Sequence, residues 1–525
     1  MSELAAARWR RAALAAVAAA LVLRLIGLVC VDLIPEEAYY WSYAQHLDLG
    51  YLDHPPMVAW LIRLGGALLG HRELAVRSGA FACWLVAAGF SYGLARHAFD
   101  RATALRAVLL LAVLPYFFAA GIVMTPDAPL LAAWAGALFF LERALLGGNA
   151  RAWWGAGACL GLGMLSKYSI ALLGVATLAF VWIDAPSRRW LRRPEPYLAA
   201  ALALAIFSPV IAWNAGHGWA SFAFQSARRL AKPAEFGLPW LAAGALLWLT
   251  PIGVAAAAAL CLERSGHGPS EGERRVRRFA RVFTLCPLAV FAAFSLRHGV
   301  RLNWTGPVWL ALLPVLARWI ARDARAAGAA AATVLALLAA YGAALLYLTL
   351  GLPGIGYPPK LRLPVGWREL GEQVASLAEP LERETGSRPL LVGMDHYFIA
   401  SELAFYAGGA GEATGRHLFG RHDLMYERWA PARRCDGRPL VLISFDREDL
   451  ADPSLDAWAE GFGAIREHRL ERDGRGVGRF FSRAARRYRA DAQLAGMSSG
   501  QFEATVPPST SKTLPVTQSP AGEHR

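Results

Sequence analysis

Apolar residues gather into long blocks through the first two thirds of the chain. Most blocks are about 17 to 25 residues long, the length that a helix needs to cross the ~30 Å hydrocarbon core of a bilayer. We predict about eleven spanning helices, near residues 12–33, 77–97, 104–123, 127–146, 152–165, 168–184, 197–213, 239–262, 280–297, 304–320 and 329–351. The pattern therefore predicts a polytopic α-helical membrane protein.

The stretch between the first two blocks has a different pattern. From Tyr39 to Gly70 it is amphipathic, and Pro55-Pro56 interrupts it. Amphipathic helices of this kind lie in the plane of the membrane interface. We therefore predict interfacial helices here and not a further span.

No long apolar block follows residue 351, so the rest of the chain is predicted to lie in water. The predicted strands are Pro389–Met394 and Pro439–Phe445, and the predicted helices are Trp367–Glu384, Ile399–Tyr406 and Leu455–Phe462. Short apolar runs between helical patterns indicate an α/β domain over residues 352–484, after a membrane domain at 1–351. Residues 485–525 are polar and end in a Ser/Thr/Pro-rich run, and they are predicted to form a disordered tail.

The positions of the arginines predict the orientation of the spans. Only 18% of the residues are charged, yet the formal net charge is +14. Arginines concentrate in alternate short loops, as the positive-inside rule requires of cytoplasmic loops. These loops are 96–106, 143–151, 188–193, 263–281 and 318–325. The alternation places the N-terminus in the cytoplasm and the α/β domain outside, and it argues against nucleic acid as the partner of the basic residues.

Two further sequence features exclude simple alternatives. The first apolar run, from Ala12 to Leu33, is longer than the core of a cleavable signal peptide, so we predict an uncleaved first span. The six cysteines show no CxxC pair and no ligand spacing. They therefore indicate neither a disulfide framework nor a cysteine metal site.

The outer loop after the first span carries candidate chemistry. It begins with Glu36 and Glu37 and continues through Tyr39 to Asp53 and His54. Two adjacent carboxylates directly after a span lie where charge is costly and needs a partner. The simpler structural alternative is a solvated loop with a belt of aromatic residues at the interface.

Four more outer segments carry polar candidates. Asp127 lies at a proline-bounded helix start, and Lys167 lies between two short spans. His217 and Arg228 belong to or follow a Trp-rich loop, and Arg301 precedes another span. The structural alternatives are a plain helix cap for Asp127 and a snorkelling interface lysine for Lys167. Because all five segments face the same side, we expect their carboxylates, cations and aromatics to share one membrane surface.

The motifs of these segments carry a family resemblance. EEAYYW, GYLDHPPM, TPDAP, LSKY, WNAGHGWASF and RLNW occur in this order, and the chain resembles the bacterial branch of the dolichyl-phosphate-mannose–protein mannosyltransferase family, in glycosyltransferase family 39. That branch includes the aminoarabinose transferase of lipid A. The resemblance implies a GT-C fold with about 11–13 spans and interfacial helices, each span being long enough to cross the bilayer. It is weaker in the outer domain, at Gly366-Trp367 and Ala400–Tyr406.

Such enzymes move a sugar from a polyprenyl-phosphate carrier to a hydroxyl of an envelope glycolipid, lipid A, lipopolysaccharide or protein, at the outer face of the bacterial inner membrane. By position, Glu36 matches the catalytic aspartate of the family and Glu37 matches the second acid of that pair. Asp127 matches a second-loop acid that orients substrate. The longer glutamate at position 36 departs from the family, and it leaves open whether Glu36 or Glu37 is the base.

The phosphate of the donor requires cations. His54 stands where the aminoarabinose transferase has a lysine for the lipid phosphate. Histidine is only partly charged near neutral pH, so Lys167, Arg228 or Arg301 is expected to add charge. Some family members bind a divalent metal at the outer face. No ligand set stands out here, so we predict no definite cofactor and leave a divalent metal open.

Two other function classes compete with the transferase. A transporter or flippase of a lipid-linked sugar would need the same carrier, but such proteins show internal repeats and broken helices at the midplane. A membrane-anchored binding protein would use the outer domain, which shows no ligand motif. The sequence names neither the sugar nor the acceptor.

Overall fold

A computed structural model describes residues 3–226, 233–262 and 270–490. Its first part is a bundle of α-helices joined by short loops. The helices are α1 (Glu3–Cys30), α2 (Pro35–Gln45), α3 (Met57–Leu69), α4 (Glu73–Ala98), α5 (Arg101–Val113), α6 (Pro115–Ala120), α7 (Asp127–Leu145), α8 (Ala152–Met164), α9 (Leu172–Ile183), α10 (Glu195–Gly216), α11 (Ala220–Gln225), α12 (Leu238–Leu262), α13 (Glu271–Ser295), α14 (Leu313–Arg322) and α15 (Ala324–Leu350). Three 3-10 helices lie at Tyr168–Ala171, Ala185–Arg192 and Leu302–Leu312.

The described residues confirm a multi-span membrane protein. Eight helical segments are long and apolar enough to cross a membrane: Ala6–Cys30, Glu73–Ala98, Asp127–Leu145, Glu195–Gly216, Leu238–Leu260, Glu271–Ser295, Leu302–Arg322 and Ala324–Leu350. A bent pair, Tyr168–Ile183 with Ala185–Arg192, turns by 115° and adds a ninth if it counts as one span.

The two remaining predicted spans, 104–123 and 152–165, are helical, but neither contains a single helix long enough to count as a candidate span. The first is divided at Leu114, whose ψ of 137° is extended and which precedes Pro115. Proline disfavours a helical residue before it, so α5 ends there and α6 starts again. The second is α8, which has 13 residues. By length and composition, the described residues therefore contain eight or nine candidate spans, and the other two of the eleven predicted spans are the broken pair α5–α6 and the short helix α8.

The helices predicted between the first two spans are α2 and α3. They are separated by residues 46–56, which include the predicted break at Pro55-Pro56. Both helices bury one side in a cluster of apolar and tyrosine side chains that also takes residues from the C-terminal part of the chain. This cluster places α2 between the bundle and the C-terminal domain.

The C-terminal domain is α/β, as predicted. Its helices are α16 (Trp367–Thr385), α17 (Phe398–Tyr406), α18 (Tyr426–Trp429), α19 (Ala432–Cys435) and α20 (Arg447–Ala451). Its strands are β1 (Leu390–Gly393), β2 (Glu412–Gly415), β3 (Leu440–Ser444), β4 (Ala459–Glu460), β5 (Arg466–Arg472), β6 (Arg475–Ala485) and β7 (Arg487–Tyr488). The main sheet has the order β2-β1-β3-β6-β5, and β4 pairs with β7.

One predicted element of this domain is wrong. The helix predicted at Leu455–Phe462 is instead a 3-10 turn at Pro453–Ala457 followed by the short strand β4. Pro453 starts the turn, and the Asp452 side chain caps it at the Ser454 amide, so the chain turns before a helix forms. The paired strands continue to Tyr488, past residue 485 where the predicted tail begins, and residues 491–525 lie outside the described residues.

Charged and aromatic contacts hold the C-terminal domain against the bundle. The Asp32 carboxylate accepts from the Trp367 amide at 3.1 Å and from the Arg472 guanidinium at 2.7 Å. The Tyr406 hydroxyl accepts from the Leu33 amide at 2.8 Å. Asp32 and Leu33 directly precede α2, so these contacts hold the start of that helix.

Candidate functional site

The two adjacent glutamates of α2 have different environments. Glu37 is fully buried, and its carboxylate forms an ion pair with the buried Arg77 of α4, with Nη2–Oε2 at 2.7 Å. The Glu37 carboxylate also accepts from the backbone amides of Met124 at 2.9 Å and Ile34 at 3.2 Å. Its acceptor positions are therefore occupied by protein groups.

Arg77 extends this network to the end of the first span. Its guanidinium donates to the carbonyl oxygens of Gly27 at 3.0 Å, Val31 at 2.7 Å and Asp32 at 2.7 Å. Carbonyl groups at a helix C-terminus lack intrahelical partners, and a cation stabilises them. The Glu37–Arg77 pair therefore links α1, α2 and α4, so its role is structural.

Glu36 lies in the first turn of α2 and is half-buried. Among the described residues its carboxylate has no ion-pair partner within 4 Å. Burial raises the pKa of Glu36, while a hydrogen bond from its own backbone amide and the positive charge of Arg301 offset part of that rise. A carboxylate with a raised pKa and no ion-pair partner among the described residues is suited to proton transfer.

Arg301 brings positive charge to the same place. It precedes the 3-10 helix Leu302–Leu312 and is exposed. Within the described part of the chain, its guanidinium has no hydrogen bond or ion pair, yet its charge acts on both Glu36 and Asp53. An uncommitted guanidinium beside two acids is available to an anionic ligand.

Asp53 is held by a cluster of tyrosines. Its carboxylate accepts from the hydroxyl of Tyr39 at 3.2 Å and from that of Tyr43. Burial raises the pKa of Asp53, while the tyrosine hydroxyls and Arg301 work against the rise. Tyr39 is almost fully buried, so it supports the site from beneath and does not face solvent.

His54 lies beside the aromatic side of α2. Its ring packs edge-on against the ring of Tyr40 at a centroid distance of 5.7 Å. Because Tyr40 lies four residues after Glu36, the two side chains share one face of the helix. The structure thus brings His54 to the face of α2 that carries Glu36.

Three distant outer segments meet at Asp127. Its Oδ1 accepts from Lys167 Nζ at 2.8 Å, and its Oδ2 accepts from Asn303 Nδ2 at 2.6 Å. The carboxylate therefore bonds to side chains and is not a plain helix cap. Since Asn303 lies two residues after Arg301, one short segment contacts Asp127 and approaches Glu36.

Two predicted site residues are not brought to this cluster. His217 is exposed at the C-terminus of α10, where its ring stacks on Trp213 at 4.1 Å and its Nδ1 contacts the Trp213 carbonyl at 2.8 Å. These contacts end the helix and turn the chain. Arg228 lies outside the described residues.

The sequence analysis missed three residues that shape the site. Tyr397 of the C-terminal domain packs against Tyr39 with tilted rings, at a centroid distance of 4.7 Å, and interacts electrostatically with Glu36 and Arg301. It follows β1, and the carboxyl ends of parallel strands are where ligand-binding loops gather. Asn303 was visible within the motif RLNW. Arg77 has no local signal, because its partner Glu37 lies 40 residues away.

The part of the chain that the structure describes shows no evident site for a metal ion. Over residues 3–226, 233–262 and 270–490, no group of three or more His, Cys, Asp and Glu side chains is arranged to hold a metal ion. Positive charge beside Glu36 and Asp127 comes instead from Arg301 and Lys167.

Comparisons with known proteins bear on this arrangement. Residues 53–213 match the family model described as dolichyl-phosphate-mannose-protein mannosyltransferase. The lipid A galacturonosyltransferase RgtD of Rhizobium johnstonii is 40% identical over 50 residues, which are 10% of this chain and 11% of that protein. The match therefore spans about a tenth of this curated relative.

Solved structures resemble nearly the whole chain. The crystal structure of ArnT from Cupriavidus metallidurans in the apo state has a TM-score of 0.61 at 15% identity, and the match covers 91% of this chain and 98% of that one. The structure of the same protein bound to undecaprenyl phosphate has a TM-score of 0.62 at 16% identity, over 89% and 97% of the two chains. At this identity the likeness shows the fold. The chain is thus a multi-span membrane protein with the GT-C fold, and its residues 53–213 are similar to the dolichyl-phosphate-mannose-protein mannosyltransferase family.

Proposed function

We propose that the protein is a glycosyltransferase that moves a sugar from a polyprenyl-phosphate donor to a hydroxyl of a cell-envelope acceptor. The observation that carries this proposal is Glu36, a half-buried carboxylate without an ion-pair partner among the described residues, next to the uncommitted guanidinium of Arg301. The fold of ArnT, whose structure with undecaprenyl phosphate resembles this one, supports the choice of donor. The short match to a lipid A galacturonosyltransferase favours a glycolipid acceptor.

The residues of the site divide the chemistry between them. The acceptor hydroxyl attacks the anomeric carbon of the donor sugar and gives its proton to Glu36. The new bond joins the acceptor oxygen to that carbon, and the old bond to the phosphate oxygen breaks. A hydroxyl is a poor nucleophile, so a positioned carboxylate base contributes to the rate.

The leaving group is polyprenyl phosphate, on which negative charge grows as the sugar departs. Arg301, Lys167 and His54 lie on the elements around Glu36 and supply positive charge or hydrogen bonds to this phosphate. Fixed cations aimed at developing charge stabilise the transition state. Asp127 orients Lys167, and Asn303 holds Asp127 in place through its 2.6 Å hydrogen bond.

A transfer assay tests this proposal against the transporter alternative. Purified protein in detergent receives a polyprenyl-phosphate sugar and an envelope glycolipid, and released polyprenyl phosphate is measured. A transferase frees the carrier only when the acceptor is present, whereas a transporter leaves the donor intact. Mass spectrometry of envelope glycolipids and glycoproteins, with and without the gene, identifies the acceptor and the sugar.

If Glu36 is the general base, its pKa determines how kcat/KM falls on the acid side of the pH profile. Only ionised Glu36 accepts a proton, and burial raises its pKa above the usual range of a glutamate. We therefore expect kcat/KM to fall as the pH is lowered through this raised pKa. The measurement is kcat/KM against pH for the wild type and for Glu36→Asp. An acid limb at the pKa of a free glutamate in the wild type would contradict a buried base.

The proposed topology places the site and the C-terminal domain at the outer face of the inner membrane. We expect a reporter fused after Arg193 or near Arg277 to be cytoplasmic, and one near Gly386 to be external. The reason is that the arginine-rich loops at one end of the bundle stay in the cytoplasm. A phosphatase and a fluorescent protein fusion at each position provide the measurement. A cytoplasmic signal at Gly386 would reverse the proposed face of the site.

A further inference from the structure

We propose that a cleft between α2 and the C-terminal domain binds an anionic saccharide unit of the acceptor, away from the bond that forms. The inference rests on the proposed transferase function, but binding at the cleft is measurable without transfer. The cleft has a volume of about 150 Å³. A cavity of this size accepts one six-membered ring.

The walls of the cleft are aromatic. They include Trp41 and His46 from α2 and its end, and Tyr426 and Trp429 from α18. The His46 and Trp429 rings are nearly parallel, with centroids 4.8 Å apart, and Tyr426 meets Trp429 edge-on at 5.3 Å. The facing surfaces of His46 and Trp429 cover each other, so a ligand meets the outer parts of these rings and the other aromatic lining. The axial C–H bonds of a pyranose ring form an apolar patch that packs on such aromatic groups, and the lining therefore suits a sugar ring.

Polar groups around the cleft remain available to hydroxyls. Gln45 is exposed, and its amide has no hydrogen bond among the described residues. Glu412 lines the cleft and is paired with Arg438 at 2.6 Å. An apolar pocket with a few convergent polar groups is typical of small-molecule sites.

One arginine brings positive charge to the edge of the cleft, which favours an anionic saccharide. Arg434 is exposed, and its charge acts on His46, which lines the cleft. The Arg434 guanidinium donates to the Trp429 carbonyl at 3.4 Å, so its charge lies at the aromatic wall. Guanidinium groups pair with phosphate and carboxylate through two parallel hydrogen bonds. The favoured ligand is thus a sugar that carries phosphate or carboxylate.

The position of the cleft along α2 indicates that it binds a part of the acceptor far from the reacting hydroxyl. Gln45 lies nine residues after Glu36, which is about 14 Å along the helix and on the opposite face. A sugar in the cleft is therefore not the sugar whose hydroxyl reacts. It is a further ring of a larger acceptor, whose reactive end reaches around α2 to Glu36.

Binding of an acyl-free, phosphorylated glucosamine disaccharide to the full-length protein in detergent tests this site. Gln45→Trp fills the cleft without removing a described contact, and we expect it to raise the Kd by about tenfold or more. Arg434→Gln should weaken the phosphorylated probe more than the unphosphorylated disaccharide. Arg487→Gln, an exposed arginine on β7, serves as the matched charge control and should bind as the wild type does. Melting temperatures verify that each variant is folded.

The outcomes separate the inference from the proposed function. If Gln45→Trp binds the probe as tightly as the wild type, the saccharide does not bind in the cleft. This conclusion holds even if Arg434→Gln binds less, because surface charge alone then explains binding. Equal losses in Arg434→Gln and Arg487→Gln also overturn it. In the transfer assay, Gln45→Trp should raise the acceptor KM and leave kcat and the donor KM unchanged. Absence of transfer in the wild type, with cleft-dependent binding intact, would sink the proposed function and leave the saccharide site standing.

Discussion

Replacing Glu36 by Gln is expected to lower the rate of sugar transfer by about 10²–10⁴-fold, the usual effect of removing a positioned general base. Glutamine keeps the size and the position of the side chain but cannot accept a proton. Because Glu36 has no ion-pair partner among the described residues, the change should leave folding intact. The measurements are kcat at saturating donor and acceptor, and the melting temperature of the purified protein.

The neighbouring residue provides the control for this experiment. Glu37→Gln makes the same chemical change one position along α2, at a carboxylate that is bonded to Arg77. If Glu36 is the base, transfer per folded molecule should fall far more in Glu36→Gln than in Glu37→Gln. Wild-type kcat in Glu36→Gln would rule out this residue as the base. If the Glu37→Gln protein is inactive but as stable as the wild type, Glu37 and not Glu36 is the general base.

Glu37→Gln is expected to destabilise the protein by about 3–5 kcal/mol, the effect of removing one partner of a buried ion pair. Arg77 would keep its charge at 2% exposure of its side chain without a carboxylate to balance it. The change should appear as a lower melting temperature in detergent. Arg77→Met should do the same, because three carbonyl groups at the end of α1 would lose their donor.

A double variant checks that the two residues act as a pair. Glu37→Gln with Arg77→Met removes both charges, so its loss of stability should be smaller than the sum of the two single losses. Strict additivity would show that Glu37 and Arg77 stabilise the protein independently. A wild-type melting temperature in Glu37→Gln would contradict the structural task that we assign to the pair.

Glu36 and Glu37 have different environments although they are adjacent in the sequence. Both residues stand in the first turn of α2, where the helix dipole favours negative charge. Only the direction of each side chain differs. Glu37 points toward α4 and meets Arg77, whereas Glu36 points toward the side where Arg301 and Tyr397 approach. The C-terminal domain therefore takes part in the site through Tyr397.

Much of the fold could be predicted from local pattern. Long apolar blocks predicted the spans, because a bilayer imposes both length and composition on a crossing helix. The runs at β1 and β3 were recognised because both strands are central and buried on both faces. In contrast, β5 was missed. It is an edge strand with the sequence REHRLER, and its charged, exposed residues lack the apolar signal of a buried strand.

The sequence by itself determined that the chain crosses a membrane several times, ends in an α/β domain and carries acids and cations in loops of one predicted side. Only the tertiary structure decided which of them meet. Asp127, Lys167 and Asn303 come from three separate segments, and their hydrogen bonds exist because α7, α8 and the 3-10 helix at Leu302 pack together. It likewise decided that the Glu37 carboxylate pairs with Arg77, while the Glu36 carboxylate has no ion-pair partner among the described residues. The physical reason is that a partner 40 residues away leaves no mark on local pattern, yet it determines whether a buried carboxylate is neutralised.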